Sequence, residues 1–340
     1  MATDYVKKDF NARFVSDFNL PISIVRNEEL FQHALFIQEP YNNALSRYSN
    51  TMTSIDEFYG GDLNKFLVEY YNVRENIIQS ILNNEAYKGF NEIDMNKVFS
   101  FKKPINVTHN SIYNQQNIGK TFISIDLKHA NFQALKYADR NIVFNCKTYE
   151  DLIRKFCDNE FMYDYVSNSR YSRQVIFGKL NPKRTITVEK YIMSLIYEYV
   201  NDILSSADAK IVSFNTDELI YEVSEKADKE ILFNMIYCMY TYIKETMEFD
   251  VKINMFKLHG YKLTHFDHDG DNEKHVTDFY EKENLIDENH SSFELKCVPI
   301  QYFNIVYKLL NHKGITEKDM YFCYEKMTAK FCGHFVIEKF

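Results

Sequence analysis

Three stretches of this chain carry residue types that could act together on phosphate. The first is Thr121-Phe-Ile-Ser-Ile-Asp126, an apolar β-run that ends in an acid. The second is Ile211-Val-Ser-Phe-Asn-Thr-Asp-Glu-Leu-Ile-Tyr-Glu-Val223, two β-runs meeting at a turn, with Asp217 and Glu218 at its tip. Val212, Phe214, Leu219, Ile220 and Tyr221 favour strand, while Asn215, Thr216 and Asp217 favour the turn. Two carboxylates brought together by rigid elements repel each other unless a cation lies between them. Two Mg²⁺ ions (or Mn²⁺ in their place) bridging Asp126 and Asp217 would form the clamp of a two-metal phosphoryl transfer, one activating the attacking oxygen and one stabilising the leaving oxygen. Taken singly, each acid is an ordinary strand-end residue.

The third stretch lies between them, from Ser167 to Arg184. No acid occurs between Asp164 and Glu189, while Arg170, Arg173, Lys179, Lys183 and Arg184 are basic. On a helix starting near Ser167, Arg170, Arg173 and Phe177 share one face at i, i+3 and i+7. Two guanidiniums there suit a triphosphate, and an aromatic ring beside them suits a base. The bland alternative is a solvated basic face with Phe177 in the core.

The elements that must position these groups read as α+β: a small antiparallel sheet backed by helices. The chain has 340 residues, enough for roughly two or three lobes and a sizeable core. Nine Gly and five Pro favour helices with a few strands over sandwiches or repeats. Gly60-Gly61-Asp62 reads as a helix start with Asp62 as N-cap, and an apolar stripe runs from Leu63 to Leu82. Pro21 and Pro40 read as breaks before it, and 85–118 reads as irregular. Ala130–Ala138, residues 148–166, Thr185–Ser206 and Ala227–Met247 read as helices. Phe249 to Lys257 alternates as a strand should, His259-Gly260-Tyr261 reads as its turn, and Lys262 to Phe266 returns. Ile300 to Asn311 and Glu317 to Phe331 read as two closing helices. The expected layout is a helical lobe over 1–118, a central unit over 119–269 and a helical extension over 270–340.

Net charge is −8, which argues against a protein that coats nucleic acid non-specifically but leaves room for a local basic track. The six Cys are scattered without a C-x-x-C pair and read as reduced thiols in a cytoplasmic setting. No signal peptide and no transmembrane run is expected.

Ser124-Ile-Asp-Leu-Lys-His-Ala-Asn-Phe-Gln-Ala-Leu135 resembles motif A of family A DNA polymerases, the bacterial DNA polymerase I type. Arg173-Gln-Val-Ile-Phe-Gly178 is similar to the core of their motif B, and Asn215-Thr-Asp-Glu-Leu-Ile-Tyr-Glu222 to their motif C. The order A, B, C is kept. The resemblance implies a palm with reduced fingers over 119–269 and a thumb-like lobe over 1–118. It implies a Mg²⁺-dependent nucleotidyltransferase acting on nucleic acid (a primer or primer-template) and nucleoside triphosphates, with no proofreading domain and no membrane partner. Asp126 and Asp217 would bind the metals, with the Leu127 carbonyl as an extra ligand, and Glu218 would sit beside them. Arg173, with Arg170, would contact the triphosphate, Phe177 would pack on the incoming nucleotide, and Asn131 stands where the family has a Glu that excludes the ribose 2′-OH. Thr216 replaces the motif C His, Arg173 replaces a Lys, and Asn181-Pro182 replaces the Tyr-Gly that closes motif B. Asp126 to Phe132 with Thr216-Asp-Glu-Leu219 also resembles reverse-transcriptase motifs. The competing class is a non-catalytic palm-like domain that binds nucleic acid or a replication partner.

Other candidates carry less. His265 to His275 is rich in metal-ligand types, but its spacing does not fit an EF-hand and it reads as a solvated loop. Lys102-Lys103 reads as an exposed pair or a backbone contact.

Overall fold

The computed structural model describes residues 2–100, 111–267, 273–285, 291–324 and 327–340. The Lys102-Lys103 pair and the tip of the 265–275 loop lie outside these residues. Helices come first: α1 (Ala2–Asp17), α2 (Glu28–Asn42), α3 (Ala44–Tyr59), α4 (Leu63–Leu82), α5 (Glu85–Glu92) and α6 (Met95–Val98). Then come β1 (Thr121–Leu127), α7 (Ala130–Ala138), α8 (Tyr149–Arg154), α9 (Glu160–Ser167), α10 (Arg170–Gly178) and α11 (Pro182–Ser206). They are followed by β2 (Ala209–Phe214), β3 (Glu218–Val223), α12 (Lys229–Glu245), β4 (Val251–Phe266), β5 (Glu273–Leu285) and β6 (Ser291–Lys296). The chain continues through α13 (Phe303–Leu310), β7 (Tyr321–Tyr324), β8 (Met327–Lys330) and β9 (His334–Lys339). The fold is α+β, as expected.

Local chemistry sets the helix starts. Asp62 accepts from the backbone N–H groups of Asn64 and Lys65 at 3.0 Å each and so opens α4. Ser169 opens α10 by accepting from the Ser172 N–H at 3.1 Å. Pro182 sits in the first turn of α11, where its missing N–H costs no helical bond.

Seven strands form one antiparallel sheet in the order β2-β3-β1-β4-β5-β6, with β9 pairing along Tyr261 to Phe266 of β4. The alternation of β1 divides this sheet into two faces. Ile123, Ile125 and Leu127 share one face with Leu219 and Tyr221 of β3 and Val251 and Met255 of β4. All are buried in one core with Val188, Ile192 and Ile196 of α11 and Met239 and Ile243 of α12. The opposite face carries Phe122, Ser124 and Asp126, in register with Glu218 and Ile220 on one side and Lys252, Asn254 and Phe256 on the other. Helices α11 and α12 thus pack on the first face, and the acid of β1 lies on the other, where Ile112, Tyr113 and Ile118 pack over Phe122, Ile220 and Phe256.

Several expectations need correction. β4 runs unbroken from Val251 to Phe266, so His259-Gly260-Tyr261 is not a turn. Gly260 is there for close packing, because a Cβ at this position would sit 2.3 Å from Ile118 Cδ1. The partner of β4 is β5, not its own C-terminal half. The segment from 270 on is not a helical extension: among its described residues it holds β5 to β9 and the single α-helix α13. Glu317–Met320 is a short 3-10 turn that leads into β7 and β8. Residues 85–98 are helical rather than irregular, and Pro40 lies inside the last turn of α2 instead of ending it earlier. All six cysteines are unpaired. No helix among the described residues is long and apolar enough to cross a membrane.

The C-terminal strands are tied back to α2 through one buried acid. Asp319 is 1 % exposed and lies 2.7 Å from His33 Nε2, and it accepts from Lys308 Nζ at 2.6 Å and from the Thr316 N–H at 2.6 Å. Burial pushes its carboxyl up, but the hydrogen bonds from His33, Lys308 and Thr316 outweigh this and hold it well below the usual range. A depressed carboxyl contributes stability above its unfolded value and loses it as pH falls through the folded one. Asp319→Ala strands the Lys308 ammonium in a mostly buried site, and should cost about 3 kcal/mol in a urea melt at neutral pH. A wild-type midpoint for that variant would show that this network does not hold the lobes together.

Candidate active site

Asp126 stands near the end of β1, directly opposite Glu218 of β3 and Lys252 of β4. The turn that follows β2 is closed by the Asn215 N–H, which donates to the Glu218 carbonyl at 2.8 Å. Within it the Thr216 N–H donates to Asn215 Oδ1 at 2.8 Å. The tip is then fastened to β1, because the Leu127 N–H donates to the Asp217 carbonyl at 2.8 Å. This bond continues the β1–β3 ladder one step past Asp126–Glu218, and so sets Asp217 beside Asp126.

The electrostatics report that closeness. Burial pushes the Asp126 carboxyl above its ordinary range, and the Asp217 charge adds to it, against the pull of Lys252, Lys282 and Arg173. Burial also raises Glu218; Lys282 pulls it back, and Asp126 and Asp217 push it further. Lys282, 7 % exposed on β5, is itself pushed down by burial and held up by Glu294 and Glu218. Its ammonium lies 4.2 Å from the centre of the buried Phe256 ring on the same face of the sheet as Asp126.

A fourth carboxylate joins from behind. Glu189 of α11 is 4 % exposed, and burial followed by the Asp217 charge pushes it up to about 7. Asn131 Nδ2 donates to Glu189 Oε1 at 2.6 Å and offsets part of that rise. The sequence does carry a signal for Glu189: it sits on the apolar stripe of α11, three and seven residues before Ile192 and Ile196. Lys252 and Lys282 carry no such local signal, since only strand register places them here.

The structure thus gathers Asp126, Asp217, Glu218, Arg173 and, through Glu189, Asn131, with Leu127 one residue beyond Asp126. Two other candidates fall elsewhere. Phe177 is 2 % exposed and packs on Tyr149 with ring centres 6.0 Å apart, so it is a core residue and offers no free face to a base. The shared helical face is real, because the Arg173 guanidinium lies 5.9 Å from the same Tyr149 ring. Tyr149 of α8 closes over Phe177, while the Arg173 charge is one of three cations that favour the ionised form of Asp126. Arg170 is exposed and donates to Asn19 Oδ1 at 3.4 Å, away from the acids. Arg184 is spent on structure, donating to the Phe90 and Ile93 carbonyls at 2.6 Å each.

Among the described residues no group of three or more His, Cys, Asp or Glu side chains is arranged as a ready metal cage. What the site offers is a pair of repelling carboxylates, with Lys252, Lys282 and Arg173 offsetting part of the charge on Asp126. No protein-family model and no curated protein matches this chain.

Proposed function

We propose that this chain is a palm-type nucleotidyltransferase that extends a nucleic-acid 3′ end, similar to a minimal family A polymerase. The observation that supports it best is that Leu127 bonds to Asp217 one step beyond the Asp126–Glu218 pair, which brings a strand-end acid and a hairpin-tip acid together, with the Arg173 charge acting on Asp126. The donor set fits Mg²⁺, since both groups are hard oxygen ligands whose mutual repulsion a cation would relieve. Bound there, Mg²⁺ would polarise the reacting oxygens of an in-line displacement. Asp126 and Asp217 would hold the ions, with the Leu127 carbonyl as an added ligand. Arg173 would orient the triphosphate and neutralise charge that develops on it. Lys252 is exposed on the same face as Asp126, where the nucleic-acid backbone would lie, with Lys282 buried on the neighbouring β5, and 1–118 would supply the thumb-like lobe. The burial of Phe177 favours a second reading, a palm-like domain that binds nucleic acid without extending it.

The test is incorporation of labelled nucleotide with Mg²⁺ on primed, unprimed and RNA substrates. Arg173→Ala should lower kcat/KM by about 10²-fold, and Arg173→Lys should recover much of it because the cation is kept. A wild-type protein inert on every substrate, or an Arg173→Ala protein as active as wild type, would defeat the catalytic reading.

A further inference from the structure

Of the three cations that act on Asp126, Lys252 and Lys282 stand on the sheet and Arg173 stands on α10. The sheet does not hold that helix. α10 packs mainly on α1, α4 and α9, so the place of Arg173 is set by how the helices around it grip α10. A nine-residue helix is too short to persist alone, and its first N–H groups need acceptors. α10 contains no acid of its own to supply one.

Asp17, the last residue of α1, supplies it from outside. Its Oδ1 accepts from the Tyr171 N–H at 2.9 Å and from Ser169 Oγ at 3.4 Å. Ser169 Oγ in turn takes the Ser172 N–H, and Ser172 Oγ meets the Tyr70 hydroxyl of α4 at 3.1 Å. The Asp17 side chain is 4 % exposed, and its other oxygen accepts from Arg13 Nε at 3.2 Å. Arg13 is fixed as well, with its guanidinium 3.7 Å from the centre of the Tyr165 ring. One buried carboxylate thus binds α1 through one oxygen and α10 through the other, at the positive end of the α10 dipole. Arg173 follows two residues after Tyr171, and its own N–H donates to the Ser169 carbonyl at 3.2 Å. From Asp17 to Arg173 the connection runs through hydrogen bonds and one helical turn, with no loop in it.

We propose that Asp17 is a positioning residue for the acid site: it clamps the first turn of α10 to α1 and so keeps Arg173 where it can serve a triphosphate. The assignment rests on the nucleotidyltransferase reading for what Arg173 does. The probe is inorganic tripolyphosphate with Mg²⁺, followed by calorimetry with no nucleic acid present. Arg173→Ala should weaken its binding about tenfold, the loss of one charge-assisted contact. Removing the Asp17 carboxylate alone strands the Arg13 guanidinium, so the two are changed together. Arg13→Met with Asp17→Ala should weaken binding by about the same factor, and should cost nothing more in the Arg173→Ala background, because both changes act through one contact. Arg13→Met with Asp17→Asn keeps an acceptor for the Tyr171 N–H and should recover most of the affinity, a rescue that a general loss of stability does not give. Ser169→Ala, which deletes only a hydroxyl, should weaken binding in the same direction, and it decides the question where the Asp17→Ala protein does not fold. Wild type that fails to bind tripolyphosphate, or Arg173→Ala that binds it as wild type does, overturns the assignment. So does a clamp variant that binds as wild type does, an equal loss in both backgrounds, or Asp17→Asn as weak as Asp17→Ala. Binding that follows the clamp without any incorporation sinks catalysis alone, whereas incorporation with binding indifferent to the clamp sinks the positioning role alone.

Discussion

Asp126→Asn is expected to reduce nucleotide incorporation by roughly 10³-fold or more while raising the melting temperature of the protein at neutral pH. Both halves follow from one geometry. Burial, and then the Asp217 charge, lift the Asp126 carboxyl above its ordinary range. A raised carboxyl means that the ionised form is disfavoured in the fold. The stability linked to it is full below the unfolded value of about 3.9 and falls as pH rises through the folded one. Asn is neutral and nearly the same shape, so it removes that repulsion and with it a ligand oxygen for a cation. The gain in melting temperature should close as both proteins are taken to about pH 4, where Asp126 is protonated anyway. Mg²⁺ should raise the melting temperature of wild type more than that of the variant, because binding to the native state alone is stabilising. A merely structural strand-end acid gives the opposite pair, retained activity with lost stability. Observing that pair would return Asp126 to the ordinary class and remove the two-carboxylate basis for function.

The parts of this site that were legible in the sequence are those with a local period. β1, α7, the β2–β3 hairpin and α11 all lie close to where alternation or a helical stripe puts them. What joins them is register, and register is not local: the Leu127-to-Asp217 bond crosses 90 residues of chain. The same distinction explains the misreadings. Gly260 looks like punctuation until Ile118, distant in sequence, is seen to lie against it. β5 is dense in charge, with Glu273, Lys274, Asp278, Glu281, Lys282 and Glu283, yet Phe279 in its middle is fully buried. Its acids and lysines pair with neighbours such as His259–Glu283 and Lys262–Glu273, so the polar pattern belongs to a strand, although its first residues up to His275 read as loop. Phe177 shows the reverse case, a correct helical face whose far end is closed by an aromatic ring from another helix.

Glu189 should make the stability of this protein depend on pH in a range where most carboxylates have finished titrating. Burial first, and then Asp217, carry it from 4.5 to about 7, despite the hydrogen bond that Asn131 donates. The sign follows directly. With the folded value raised, its contribution is fully present below about pH 4.5 and is lost as pH rises to about 7. Above that the ionised side chain costs on the order of 3 kcal/mol, since each unit is worth about 1.4. Glu189→Gln keeps the length of the side chain and an oxygen for Asn131 to donate to. Its melting temperature should therefore match wild type near pH 4.5 and exceed it near pH 8, by an amount on the order of 3 kcal/mol in a denaturant titration. Asn131→Ala should act in the other direction, because it removes the one hydrogen bond that favours the charged form, and so deepens the loss at high pH. A cation between Asp126 and Asp217 would cancel the charge that Glu189 opposes, so Mg²⁺ should move the wild-type transition to lower pH and leave Glu189→Gln unmoved. Parallel stability profiles for wild type and Glu189→Gln across this range would mean that Glu189 stays in one protonation state, and that Asp217 does not act on it as its position implies.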